Sequence, residues 1–170
     1  MNATLAAWNA ADRSVAIEAM IACCGAKRWA AQMVSLRPIA GVEQLSEAAD
    51  RVWAAMQEAD WLEAFACHPR IGERNQPAHR SAQSTVWSQQ EQAKASAASE
   101  QILAELAEGN RIYEERFGFT YIVCATGKSA GEMLAILKRR LASNRDAELR
   151  EAAEQQRQIM QIRLGKWLVE

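Results

Sequence analysis

An all-α fold is expected for this chain, and three features of its sequence point there. Gly and Pro are scarce, at eight and three in 170 residues. Ala, Glu, Gln and Leu abound, a usage that favours helices with short connections over a turn-rich sheet. Apolar residues recur at three- and four-residue spacing in successive segments. Capping residues stand where those segments begin and end. The expected architecture is a single-domain multi-helix bundle over residues 1–170, with one buried extended segment near 119–125. At this length one hydrophobic core can fold without metal or disulfide support.

The first helix falls at 12–24, with Val15, Ile17, Ala19, Met20 and Cys23–Cys24, and Gly25 stands at its C-terminal cap position. A second, near 26–36, carries Trp29, Met33 and Leu36 and stops before Pro38. Leu45, Val52, Trp53 and Met56 mark a third over about 43–58. Asp60 is placed to cap a short helix at 61–66 that leads into His68-Pro69. Residues 67–84 lose this periodicity and hold Pro69, Gly72, Asn75 and Pro77, so they read as a long loop. Helix returns at 85–98 and at 99–117, where Ile102, Leu106, Tyr113 and Phe117 share a face before Gly118. Phe119–Ala125 has the composition of a strand, yet no second strand exists to pair with it. Its backbone groups must therefore find other partners. Ser129 and Glu132 form a capping box opening a helix to about 142, and Asn144 caps a last one over 145–168.

Composition removes several function classes. Twenty basic and 21 acidic residues leave a net charge of -1, so there is no basic footprint for nucleic acid or an anionic membrane. No apolar run approaches the ~20 residues of a membrane helix. Asp12, Arg13 and Glu18 interrupt any signal-peptide pattern, and Leu168-Val169-Glu170 is not a peroxisomal address. Cys23, Cys24, Cys67 and Cys124 form no CxxC pair, which suits reduced thiols in a soluble, cytoplasmic protein. His68 and His79 are the two histidines; zinc held by three histidines is excluded, and no HExxH, phosphate-binding glycine loop or GxSxG elbow occurs. Any enzymatic chemistry here is expected to be acid–base and electrostatic, without a bound metal.

His68 is the most suggestive residue, since it joins a short apolar helix to the long loop and Pro69 holds its backbone extended. A neutral imidazole can take or give a proton near neutral pH. A lone histidine at a helix end is more often simply packed against the core. Ser88, Glu91 and Gln92 share a helix face, although Ser-x-x-Glu also spells a capping box, the commoner use of that pattern. In the last helix Leu149, Ala153, Gln156, Met160, Leu164 and Trp167 lie on one face, and Arg163 falls among them. An inward guanidinium needs anionic or carbonyl partners; a structural ion pair or a snorkelling stem would also satisfy it. Cys67 beside His68 is a weaker candidate, because chain neighbours seldom face each other productively. Arg70 and Arg74 read as solvated, with loop anchoring as the next option, and Trp87 borders the polar patch.

Taken in order, His68-Pro69-Arg70-Ile71-Gly72-Glu73, Ser88-Gln89-Gln90-Glu91-Gln92, Arg116-Phe117-Gly118-Phe119 with Tyr121-Ile122-Val123-Cys124-Ala125, and Ile159-x-x-x-Arg163-Leu164 form a pattern. From about residue 8 to 168 it resembles the 2-oxo-4-hydroxy-4-carboxy-5-ureidoimidazoline (OHCU) decarboxylases, and Gly127-Lys128-Ser129-Ala130 suggests a bacterial-type member. The resemblance implies an all-α, commonly dimeric enzyme of urate breakdown that yields (S)-allantoin without metal or organic cofactor. It also implies that His68 is the catalytic histidine, supported by Glu91. Ser88, Gln92 and Arg163 would bind the substrate, Pro69 would shape the cavity, and backbone near Tyr121, Ile122 and Val123 would complete it. One departure is Thr120-Tyr121 where the family often has Pro-Phe, which adds a hydroxyl near the expected pocket. Rival readings are a hydrolase of a related ureide, a cysteine nucleophile at Cys67, and a non-catalytic helical interaction module.

Overall fold

A computed structural model describes residues 2–73, 81–95 and 98–170. Arg74, Asn75, Pro77 and His79 of the long loop, and residues 96–97, lie outside the described residues. Among the described residues there are nine helices and no strand. They are α1 (Ala3–Ala10), α2 (Arg13–Cys24), α3 (Lys27–Ser35), α4 (Val42–Ala54), α5 (Glu58–Ala66), α6 (Ala82–Glu91), α7 (Glu100–Phe117), α8 (Ala130–Arg140) and α9 (Arg145–Trp167). The chain divides into two compact units: Met1–Ala64 with Arg157–Glu170, and Phe65–Gln156.

In the first unit, α1 is a helix that the sequence reading does not anticipate. Its start is set by Asn2, whose Oδ1 accepts from Leu5 N–H at 3.0 Å. Leu5 and Trp8 are its buried residues. Arg37 closes its other end, donating to the Trp8 and Ala11 carbonyls at 2.6 and 2.8 Å while lying over the Trp8 ring. Gly25 terminates α2 with φ 90°, a left-handed conformation in which glycine has no Cβ penalty. Trp29, fully buried, donates from Nε1 to the Ala49 carbonyl at 3.1 Å and so ties α3 to α4. The C-terminal part of α9 is held to α4 by polar bonds, Gln161 to Asp50 Oδ1 at 2.7 Å and Arg157 to the same carboxylate at 3.2 Å.

Two boundaries here differ from expectation. The helix read over 43–58 ends at Ala54, and α5 starts at Glu58 rather than 61. Asp60 is therefore inside α5, and its carboxylate reaches back to Gln57 N–H at 2.9 Å instead of capping forward. Met56 stays buried between the two helices, which is why it fits the apolar spacing of α4 without belonging to it.

In the second unit, α7 ends at Gly118 (φ 80°), whose N–H bonds Glu114 O, and the chain continues extended. Phe65, Tyr113, Phe117, Phe119 and Tyr121 form a continuous aromatic cluster with ring centroids 4.7–6.3 Å apart. The extended stretch near 119–125 is buried and unpaired with any strand, as expected, and side chains serve its backbone instead. Arg140 donates to Ile122 O at 2.6 Å, Gln155 Oε1 accepts from Cys124 N–H at 2.8 Å, and Lys128 Nζ donates to Cys124 O at 2.7 Å. Arg140 also donates to Glu148, which accepts from the Tyr113 hydroxyl. Burial raises the Tyr113 phenol above its ordinary pKa, Arg140 opposes that rise, and Glu148 reinforces it. The expected caps at Ser129–Glu132 and Asn144 are both present.

Removing one partner of a buried pair leaves the other charge uncompensated. Arg140→Met is expected to cost about 3–5 kcal/mol in urea unfolding, and Arg140→Met with Glu148→Leu distinctly less. The Glu132 carboxylate, accepting from Ser129 N–H, sits below its ordinary value of 4.5. Its contribution is thus full above 4.5 and lost as pH falls through the lower folded value. The urea-midpoint difference between wild type and Glu132→Gln should be largest at neutral pH and close on acidification.

Candidate active site

His68 lies two residues past the end of α5, with its N–H donating to Phe65 O at 3.1 Å. Pro69 is buried behind it, so the chain cannot continue the helix and the imidazole is left at the turn. The next residues are tightly held. Arg70 stays exposed, as expected, and also anchors the loop through a two-pronged bond to Glu114 at 2.7 and 2.9 Å. Ile71 O accepts from Asn110 Nδ2 at 3.0 Å. Gly72 adopts φ +83°, and its N–H donates to Gln92 Oε1 at 3.1 Å.

That last bond brings together two of the sequence motifs, His68–Glu73 and Ser88–Gln92. The capping use of Ser88 and Glu91 is not what the structure contains. Ser81 is the cap of α6, its Oγ accepting from Ser84 N–H, so Ser88 and Glu91 fall in the last turn of the helix, Glu91 as its final residue. Both are buried, at 3% and 9% exposure, beside Ser84 and Trp87. A serine hydroxyl and a carboxylate have been taken out of water on one helix face, which is costly unless each is satisfied. Gln92 is the residue that ends α6, and its amide oxygen is committed to Gly72.

The third element is the N-terminal part of α9. Gln155 holds the extended segment through Cys124 N–H, and the adjacent Gln156, fully buried, has its Oε1 at 2.6 Å from His68 Nε2. Gln156 reads from sequence as one more position on the apolar face of α9. Its polarity in that stripe is the signal that it has a partner. Tyr121 is buried and donates its hydroxyl to Met133 O at 3.0 Å, so the group that departs from the family pattern is spent on α8. The Ile122 carbonyl is taken by Arg140. Val123 is buried alongside.

Arg163 belongs to the first unit and is 3% exposed, as its helical phase predicts. Cys23 is its electrostatic neighbour there: burial pushes that thiol well up, and the Arg163 charge pulls against the shift. Cys67 is half-buried, and none of the four cysteines is joined in a disulfide. A groove of about 520 Å³ is lined by Arg70, Glu73, Ala107, Arg111, Glu114 and Glu115. Its arginines are already paired with Glu114, Glu108 and Glu115, so it is a charge-compensated surface feature and contains no expected site residue. Among the described residues no group of three or more His, Cys, Asp or Glu is arranged to hold a metal ion.

Gly72 is the backbone pivot of this region. Gly72→Ala forces a Cβ into left-handed backbone and is expected to cost about 1–2 kcal/mol, read by urea unfolding. Tyr121→Phe removes one buried hydrogen bond and is expected to cost about 1 kcal/mol in the same measurement.

Known proteins resemble this chain in sequence and in fold. The family model described as OHCU decarboxylase matches residues 9–165, spanning both units. The uric acid degradation bifunctional protein TTL of Arabidopsis thaliana is 38% identical over 85% of this chain, which spans 44% of that relative's length. The 2-oxo-4-hydroxy-4-carboxy-5-ureidoimidazoline decarboxylase of Haloferax volcanii is 27% identical over 81% of this chain and 80% of its own. A crystal structure of an OHCU decarboxylase in the presence of (S)-allantoin superposes with a TM-score of 0.77 at 34% identity, covering 90% of this chain and 99% of that one. With the motif order of the sequence carried through to a helical fold of the same kind, this chain belongs to the OHCU decarboxylase family.

Proposed function

We propose that this chain decarboxylates 2-oxo-4-hydroxy-4-carboxy-5-ureidoimidazoline to (S)-allantoin in urate breakdown, with no metal or organic cofactor. The observation that carries the reading is the buried polar face of α6, Ser88 and Glu91, tied through Gln92 to Gly72 just beyond His68. Family membership over residues 9–165 supplies the reaction class.

The chemistry asks little that these residue types lack. Loss of carbon dioxide breaks a carbon–carbon bond and leaves an electron pair that must be delocalised. In this substrate an adjacent imine accepts the pair. The protein must orient the carboxylate, stabilise the electron-rich intermediate, remove the hydroxyl proton and deliver a proton to one face of the ring carbon. In our reading His68 moves that proton and Glu91 supports it. Ser88, Gln92 and Arg163 bind the ring and ureido groups, and Pro69 shapes the cavity wall. Gln92 acts through its amide NH₂, because its oxygen already holds Gly72. The backbone of Tyr121, Ile122 and Val123 completes the site, with Ile122 offering its N–H because its carbonyl is bonded to Arg140. We further propose a homodimer working in the cytoplasm on this small molecule, with neither nucleic acid nor membrane as partner. Among the described residues no helix is long and apolar enough to cross a membrane.

The test generates the substrate in place with urate oxidase and the following hydrolase, adds this protein, and follows the circular dichroism of allantoin. The (S) signal is expected to appear faster than spontaneous decay allows, with carbon dioxide released. In His68→Ala the acceleration should be lost while the far-ultraviolet helical signal is unchanged. Turnover near the wild-type rate in that variant would remove His68 from the chemistry, and a ureide product without carbon dioxide would mean hydrolysis.

A further inference from the structure

The glutamine at position 156 is out of place in its stripe. Its neighbours on the inner face of α9, Leu149, Ala152, Ala153, Ile159 and Met160, are apolar and buried, and Gln156 is fully buried with them. A primary amide there must be hydrogen-bonded, because burying it unsatisfied is costly. A Leu or Met would pack without that demand. What Gln156 gains is a 2.6 Å bond to His68 Nε2, and the atom it presents is the amide oxygen.

An amide oxygen has only lone pairs to offer. An unprotonated Nε2 facing it would set two lone pairs against each other, so this nitrogen must carry the ring proton. In a neutral imidazole the lone pair then belongs to Nδ1. The 23-residue helix α9 is a long scaffold, and the same turn of it anchors Cys124 N–H through Gln155. The ring is therefore fixed in both tautomer and orientation by an element that also holds the extended segment.

We propose that Gln156 is a positioning residue for His68, fixing the ring proton on Nε2 so that Nδ1 is the nitrogen that accepts the substrate's proton and passes it on. This rests on the reading of His68 as the catalytic group. It adds which nitrogen acts and what selects it.

The test combines ¹⁵N-histidine NMR with steady-state kinetics on the full chain, the His68→Ala spectrum identifying the His68 signals. Wild type is expected to show His68 as the Nε2–H tautomer. Gln156→Leu should populate the other tautomer and lower kcat by about 10–100-fold, by analogy with the loss of the hydrogen-bond partner of a metal-ligating histidine, with KM changed far less. Gln156→Glu places a carboxylate against the ring and favours imidazolium, so the acid limb of its pH–kcat/KM profile should move up by about 1 unit or more. A wild-type His68 protonated on Nδ1 would overturn the proposal. So would wild-type kcat and tautomer in Gln156→Leu, or an unmoved acid limb in Gln156→Glu. If Gln156→Leu does not fold, the wild-type spectrum and the Gln156→Glu profile decide. Full activity in His68→Ala would instead defeat the underlying catalytic reading, and the tautomer result would still stand as a fact about the ring.

Discussion

The carboxylate of Glu148, 1% exposed, is the point on which the interior of the second unit depends. It accepts from the Tyr113 hydroxyl and from Arg140, and Arg140 uses its remaining donors on the Ile122 carbonyl and the Tyr113 hydroxyl. The guanidinium also lies 4.9 Å from the Tyr121 ring centroid. Ion pairs in a dry interior seldom add net stability over apolar packing, because desolvating both charges offsets their attraction. This one has a second duty. It supplies a donor to a carbonyl in a segment that has neither a helix nor a sheet to satisfy it. The extended stretch can be buried because the pair is there.

That arrangement has a functional side. A backbone run that is neither helical nor paired can present peptide groups to a ligand, provided it is held still by other means. Arg140 holds it through Ile122, Lys128 and Gln155 hold it through Cys124, and Tyr121 pins its own ring to α8. Gln155 and Gln156 then join the extended segment and His68 to consecutive positions of α9. These polar side chains cross-link the extended segment and the turn at His68 to α8 and α9.

The α6 face shows why local pattern misleads. Ser88-x-x-Glu91 satisfies the spacing of a capping box, and as a string it is indistinguishable from Ser129-x-x-Glu132, which is one. The difference is where the helix begins. Ser81 has already capped α6, so Ser88 and Glu91 fall at its C-terminal end and are buried there. Similarly, nothing local in the sequence says that exposed Arg70 pairs with Glu114, 44 residues away. The start of α5 and the existence of α1 were equally invisible, because both are decided by short polar contacts at helix ends rather than by a long apolar stripe.

Sequence by itself determined the helical class, most of the longer helices, the caps at Gly25, Gly118, Ser129 and Asn144, the burial of Arg163 and the need of residues 119–125 for unusual partners. These follow from periodicity, backbone preference and hydrogen-bond accounting, which are local and additive. The family's motifs were legible too, since their order and spacing survive in the string. Only the tertiary structure decided that Arg140, Glu148 and Tyr113 are the partners, that Gln156 meets His68, and that Gln92 meets Gly72. Those contacts span 8 to 88 residues of sequence. A side chain's own type says that it needs a partner, but which one it finds depends on how the helices pack.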